Sequence, residues 1–148
     1  PDFISENTEI IKAFRRVSRA TDKKGIWVVD RGGDRPDLYH HLLKEKLSFV
    51  IRVNSVRPLL YWRRKRAAAD LTASCSLPYM ERIVRQEAGK EKAYKLLFGS
   101  MPVKLPGYKQ VLSLVVVCGF GRKPLMLLTT MRVTKSRKSH WGSVNIYV

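Results

Sequence analysis

The sequence holds no acidic residue after Glu91, although basic residues recur from Lys92 to Lys138. That half of the chain cannot offer a side-chain carboxylate to a metal, and hard cations such as Mg²⁺ take oxygen ligands, typically carboxylates. Any carboxylate-and-metal chemistry must use earlier acids or residues supplied from outside the chain. Cysteine is scarce. Cys75 and Cys118 are the only two and form neither a zinc spacing nor a disulfide framework, which fits a reducing cytosol. Long apolar runs are missing as well. The longest, residues 111–117, contains Ser113 and ends at Cys118-Gly119, far short of the roughly 20 residues that span a bilayer. The opening residues, Pro1 to Glu9, are mixed polar and do not read as a secretory leader. No P-loop, Ser/His/Asp order, internal repeat or low-complexity segment occurs.

Acids are few throughout: 12 against 29 Lys and Arg, a formal charge of +17. A field of that sign favours a polyanion, and nucleic acid is the commonest one. A ribosomal or membrane-surface setting is the alternative. With 148 residues, 45% hydrophobic and 28% charged, the chain can bury a core of its own and does not have the composition of a disordered segment.

The first segment reads as α/β. Ser5-Glu6-Asn7-Thr8 offers N-caps. Ile10, Ile11, Phe14 and Val17 then recur at helical spacing with Lys12, Arg15, Arg16 and Arg19 between them, predicting an amphipathic helix to about Ala20. After a turn at Asp22-Lys23-Lys24-Gly25, the run Ile26-Trp27-Val28-Val29 predicts a buried parallel strand that stops at Asp30. Arg31-Gly32-Gly33-Asp34 reads as a loop drawing on glycine's backbone freedom. Pro36 suits the first position of a second helix, capped by Asp34 or Arg35, carrying Leu38, Leu42 and Leu43 and ending near Leu47. Residues 49–53 form the next strand. Residues 26–53 are thus a βαβ unit, with Asp30 at the carboxyl edge where open α/β sheets bind ligands.

The texture changes at Asn54. Residues 67–85 are ambiguous, with helix favoured over strand. Residues 92–104 suit a strand that Pro102 and Pro106 confine to an edge or its ends. Residues 111–117 make a strong strand. Gly119 to Pro124 turns the chain, and Leu125 to Thr130 reads as the hairpin partner. Residues 132–139 are a basic loop, and His140 onward looks like the start of a helix.

Asp30 is the sharpest candidate for chemistry. A carboxylate at a strand end, opening into a glycine loop, can hold Mg²⁺ from a rigid base; it can equally be a loop aspartate satisfied by nearby backbone N–H groups. Asp34 reads as a helix cap and Asp37 as a first-turn acid favoured by the helix dipole. His40 and His41 have no metal-like partner, and Cys118 reads as core. The stretch Arg57, Tyr61, Trp62, Arg63, Arg64, Lys65 and Arg66 suits a nucleic-acid surface, since guanidinium groups meet phosphates and aromatic rings stack on splayed bases. A solvated basic face with its aromatics turned inward is the other reading. Arg31, and Arg137 and Lys138 in the basic loop, complete the set of candidate contacts.

Ser5-Glu6-Asn7, then Ile26-Trp27-Val28-Val29-Asp30-Arg31-Gly32-Gly33-Asp34-Arg35, then Phe49-Val50-Ile51-Arg52, resembles the DDE transposases of the insertion-sequence-4 class. Asp30 and Arg31 match the Asp-Arg that ends that family's strand bearing the second catalytic aspartate. Leu127-Leu128-Thr129-Thr130 resembles its last strand before the catalytic helix. The resemblance implies a partial RNase H-like core over residues 1–53, a β-rich insertion over 54–121, and a return to the core over 122–148. It implies Asp30 as catalytic residue and metal ligand, Mg²⁺ or Mn²⁺ as cofactor, DNA and other transposase subunits as partners, no membrane, and the bacterial cytoplasm and nucleoid as location. In the family, three carboxylates bind two metals for in-line attack on a phosphodiester. Here Asp2 is the only acid ahead of the first helix and is a poor match for the first aspartate. Trp141, Val144 and Tyr147 resemble the start of the helix bearing Tyr-x-x-Arg-x-x-x-Glu, but the sequence stops at Val148 before that arginine and glutamate. The expectation is an internal fragment that binds DNA and is inactive alone. Its rival is a stand-alone basic nucleic-acid-binding module whose Asp30 is structural; a small RNase H-like nuclease is a third reading.

Overall fold

The first helix, α1 (Glu6–Ala20), begins where the sequence offers its caps. The Ser5 hydroxyl accepts from the Thr8 backbone N–H at 3.2 Å, and Glu6 and Glu9 lie in the first turn, where carboxylates favour the helix dipole. A computed structural model describes residues 5–133; Asp2, Arg137, Lys138, Trp141, Val144 and Tyr147 lie outside the described residues. The Phe14 ring of α1 meets Trp27 of β1 (Ile26–Val29) with centroids 4.0 Å apart and so fixes the helix to the sheet. After a 3-10 turn at Arg31–Gly33 comes α2 (Pro36–Lys44), with Pro36 in the first turn as read and the helix stopping short of Leu47. Next is β2 (Ser48–Arg52), which pairs parallel with β1 from Ile26↔Ser48 to Val29↔Ile51. The βαβ unit is therefore present.

The remaining elements are β3 (Pro58–Tyr61), β4 (Arg64–Ala67), α3 (Ala68–Thr72), β5 (Tyr79–Glu87), β6 (Lys90–Val103), β7 (Leu112–Cys118) and β8 (Leu125–Thr129). Among the described residues six strands make one sheet in the order β1-β2-β8-β7-β6-β5, and every pairing after β1–β2 is antiparallel. β3 and β4 form a separate hairpin. The chain is thus mixed α/β. Residues 54–121 hold β3 to β7, and β5, β6 and β7 continue the sheet of β1 and β2 rather than starting another.

One sheet face packs under α1, α2, α3 and the β3–β4 hairpin, around Tyr39, Leu42, Phe49, Ile51, Leu59 and Leu71. The other carries a smaller cluster of Val50, Leu96, Phe98, Val115, Val117 and Leu127. Among the described residues no helix is long and apolar enough to cross a membrane.

Two expectations need correction. β1 is not a buried strand: among the described residues it is the sheet edge, with Trp27 and Val29 against the core while Ile26 and Val28 are 49% and 54% exposed. A short continuous apolar run looks alike whether one or both of its faces are covered. Residues 67–85 are not mainly helical either. One helical turn, α3, gives way to β5, whose Tyr79, Glu81 and Ile83 alternate with more exposed residues, a period of two. Pro102 lies inside β6, yet β5 reaches only as far as Phe98, so Pro102 has a strand neighbour on one side alone, as its missing N–H requires.

Candidate functional site

The register of β1 and β2 brings their carboxyl ends together and sets Asp30 beside Arg52, with Asp30 Oδ1 3.6 Å from Arg52 Nη1. The Asp30 side chain is 80% exposed, and Arg31 next to it is exposed too. Both open onto a cleft of about 840 Å³ floored by Val28, Val50 and Leu127. Its far wall holds Arg85, Glu87, Tyr94, Phe120 and Lys123. There the Arg85 guanidinium lies 4.7 Å from the Phe120 ring centre, and the Tyr94 hydroxyl donates to Glu87 at 2.6 Å. That hydrogen bond, with Lys92 nearby, holds the Glu87 carboxyl below the usual carboxylate range.

Asp34, read as a cap, does something else. The residue at the cap position of α2 is Arg35, and it makes no side-chain cap bond. The Asp34 side chain is fully buried. Its Oδ1 accepts from Arg57 Nε at 2.6 Å and from the Tyr39 hydroxyl at 2.8 Å, while Oδ2 accepts from the Asn54 backbone N–H at 2.7 Å. Arg57 Nη2 also donates to the Asp34 carbonyl oxygen. Burial, and after it the negative charge of Asp34, pushes the Tyr39 phenol well above its ordinary range. One carboxylate therefore ties the loop after β1 to α2 and to the segment after β2, which holds the carboxyl edge in shape. An aspartate two residues before a proline reads locally as a cap; its arginine partner 23 residues on leaves no local signature.

Arg57 accordingly departs from the nucleic-acid surface drawn from the sequence, because its guanidinium is turned inward onto Asp34. The Arg31–Gly33 turn also differs from expectation. Neither Gly32 nor Gly33 has a positive φ. Gly33 is needed for close approach instead, since a Cβ there would run into the Val29 side chain and crowd Leu38.

The basic stretch forms the β3–β4 hairpin. Leu59 is fully buried, and the Leu60 backbone exchanges hydrogen bonds with Lys104 at 2.8 and 3.0 Å, so the base of the hairpin is anchored in the body. Tyr61 pairs with Arg64, leaving Trp62 and Arg63 as a two-residue turn with φ of 48° and 62°. Trp62 is 82% exposed, and Arg63, Arg64, Lys65 and Arg66 are all exposed. Tyr61 is half-buried against the core, its ring 6.0 Å from that of Trp62 and edge-on to it. The hairpin, residues 58–67, contains no acid.

The other candidates stay apart from these two places. His40 Nδ1 lies 3.3 Å from the Tyr108 hydroxyl at the surface. His41 is buried, its Nε2 without a hydrogen-bond partner among the described residues, and burial lowers its pKa. Asp37 accepts from Asn7 of α1 at 3.3 Å. Cys75 and Cys118 are free and half-buried. Among the described residues no group of three or more His, Cys, Asp or Glu side chains is placed to hold a metal ion. No family model matches the chain, and no curated protein matches it.

Proposed function

We propose that this chain binds nucleic acid through the β3–β4 hairpin, and that its scaffold is the RNase H-like kind found in DDE transposases of the insertion-sequence-4 class, with DNA as the ligand. The observation that carries the binding is the run of four exposed cations, Arg63 to Arg66, around an exposed Trp62, on a hairpin without acids and anchored by Leu59. Phosphate contacts from such a surface are independent of sequence and release condensed counterions. The parallel β1–α2–β2 unit with an exposed Asp30 at its carboxyl edge supports the transposase reading. Other transposase subunits as partners and a place at the bacterial nucleoid belong to the same proposal.

The metal is where the residues do not fit. Asp30 is the carboxylate for Mg²⁺ or Mn²⁺ in this reading, yet the Arg52 guanidinium stands 3.6 Å from it. Asp34 is enclosed with Arg57, and Asp37 is bonded to α1. The assigned activity is therefore DNA binding without strand cleavage. A second reading, a stand-alone binding module, is favoured by the Asp30–Arg52 ion pair, which gives the carboxylate a structural use.

The test is fluorescence anisotropy of the full chain with labelled duplex DNA across a salt series. Replacing Arg63, Arg64 and Arg66 together by Ala should weaken binding and lower the slope of log K against log salt by about 0.9 for each phosphate that the variant no longer neutralises. An unchanged slope would show that the hairpin is not the DNA-binding surface.

A further inference from the structure

We infer that Trp62 is a stacking probe for an unpaired base, in a single-stranded overhang or junction of the nucleic acid whose phosphates the neighbouring arginines hold. This rests on the proposed nucleic-acid reading and gives it a substrate form.

Three observations lead there. The first is exposure: a large indole stands 82% in solvent at the tip of a hairpin whose base is fixed by Leu59 and by the Leu60–Lys104 hydrogen bonds. Tyr61 is the aromatic ring beside it, edge-on, and one edge-on neighbour leaves an indole face open. The second is backbone strain. Trp62 and Arg63 both have left-handed φ in a two-residue hairpin turn. Turns with positive φ at both central residues strongly prefer Asn, Asp and Gly. Neither residue is of that kind, and the Trp62 side chain gains little burial in return. A local rule broken without compensating packing points to use in binding. The third is charge. Arg63, Arg64, Lys65 and Arg66 surround the ring, so its partner is a polyanion with flat faces to offer. Intact duplex offers groove edges, whereas an unstacked base offers a whole face, and aromatic stacking on such bases tolerates any sequence.

The experiment compares two labelled probes at one salt concentration: a blunt duplex and the same duplex with a single-stranded overhang. The parent chain should prefer the overhang. Trp62→Ala should reduce binding to it by about 5- to 150-fold, the range that one base–aromatic stack supplies. It should weaken blunt-duplex binding by a much smaller factor and leave the salt slope, which the cations set, as in the parent, and Trp62→Phe should keep part of the preference. Trp62→Asn, with a side chain suited to the left-handed region, should lose the preference while raising Tm. An unaltered overhang preference in Trp62→Ala overturns the inference and leaves salt-dependent hairpin binding standing. Equal losses on both probes, with a flatter slope, make Trp62 a support for the cations and also overturn it. Loss of binding to phosphatidylserine-containing vesicles, with both DNA affinities intact, assigns the ring to a lipid surface instead. If the parent binds neither probe, this inference and the proposed function fall together. A Tm in Trp62→Asn no higher than the parent's removes the strain argument.

Discussion

Asp34→Ala is expected to destabilise the protein by about 3–5 kcal/mol, the range found when one partner of a buried ion pair is removed. The substitution strips the counter-charge from the largely buried Arg57 guanidinium and leaves the Tyr39 hydroxyl and Asn54 N–H without their acceptor. Each buried donor left unsatisfied costs about 1–3 kcal/mol, so the network can account for a loss of this size. Arg57→Ala should also be costly, because it leaves the fully buried carboxylate with neutral donors only. Replacing both, Asp34→Ala with Arg57→Ala, should cost less than the sum of the single changes, since the second substitution removes the buried charge that the first leaves unpaired. Urea denaturation of the four proteins measures this cycle. A loss below about 1 kcal/mol in Asp34→Ala would show that the network does not hold the carboxyl edge together. The pH dependence has a definite sign. Tyr39 stays protonated in the folded protein where an unfolded tyrosine, with a pKa of about 10, has already ionised. Its contribution is therefore complete below that value and lost as pH rises above it. Asp34→Ala should weaken this alkaline loss, because burial then raises the Tyr39 pKa without the carboxylate and against the Arg57 charge.

No DNA strand cleavage or transfer is expected from the chain, even at millimolar Mg²⁺ or Mn²⁺. A two-metal mechanism stabilises the attacking and leaving oxygens together, and Mg²⁺ keeps much of its water shell unless anionic ligands hold it. Asp30 supplies one carboxylate, Arg52 stands 3.6 Å from it, and no acid follows Glu91 anywhere in the sequence. A nicking assay on supercoiled plasmid, with Asp30→Ala prepared alongside, decides the matter. Cleavage by the parent that disappears in the variant would mean that a further carboxylate reaches Asp30, from within the chain or from a second copy. Cleavage by both would mark a contaminating nuclease. Salt-sensitive DNA binding by both without nicking is the expected outcome.

The parts of this structure legible in the sequence are those whose causes are local. Ser5 before an apolar period of helical spacing, Pro36 at a helix start, and the Val-rich and Leu-rich runs of β7 and β8 around a Gly/Pro turn each contain their own instructions. The parts that are not legible depend on partners distant in the chain. Ile26 and Val28 spell a buried strand and stand at an edge, because the pattern does not say what covers each face. β5 begins inside a stretch that favours helix and is drawn into a strand by pairing with β6. Arg57 looks like its surface neighbours until Asp34 is found beneath it. The turn at Trp62-Arg63 carries none of the Asn-Gly chemistry that announces such turns, so the hairpin is visible as composition and not as shape. Of the candidate site, Asp30 and the exposed cations from Arg63 to Arg66 stand where a ligand can reach them, and the rigidity behind them comes from residues that look incidental.

The open edge of β1 gives the charge of this chain a colloidal meaning. Protein edges are ordinarily blunted by a lysine, a proline or a bulge, because unpaired strand edges recruit other chains. Ile26-Trp27-Val28-Val29 has none of these within it, and among the described residues nothing pairs along its outer side. At +17, charge repulsion between copies opposes the meeting of two such edges. Whatever screens that charge, added salt or a polyanion, lowers the barrier between two edges, so self-association of the chain is expected to rise with ionic strength.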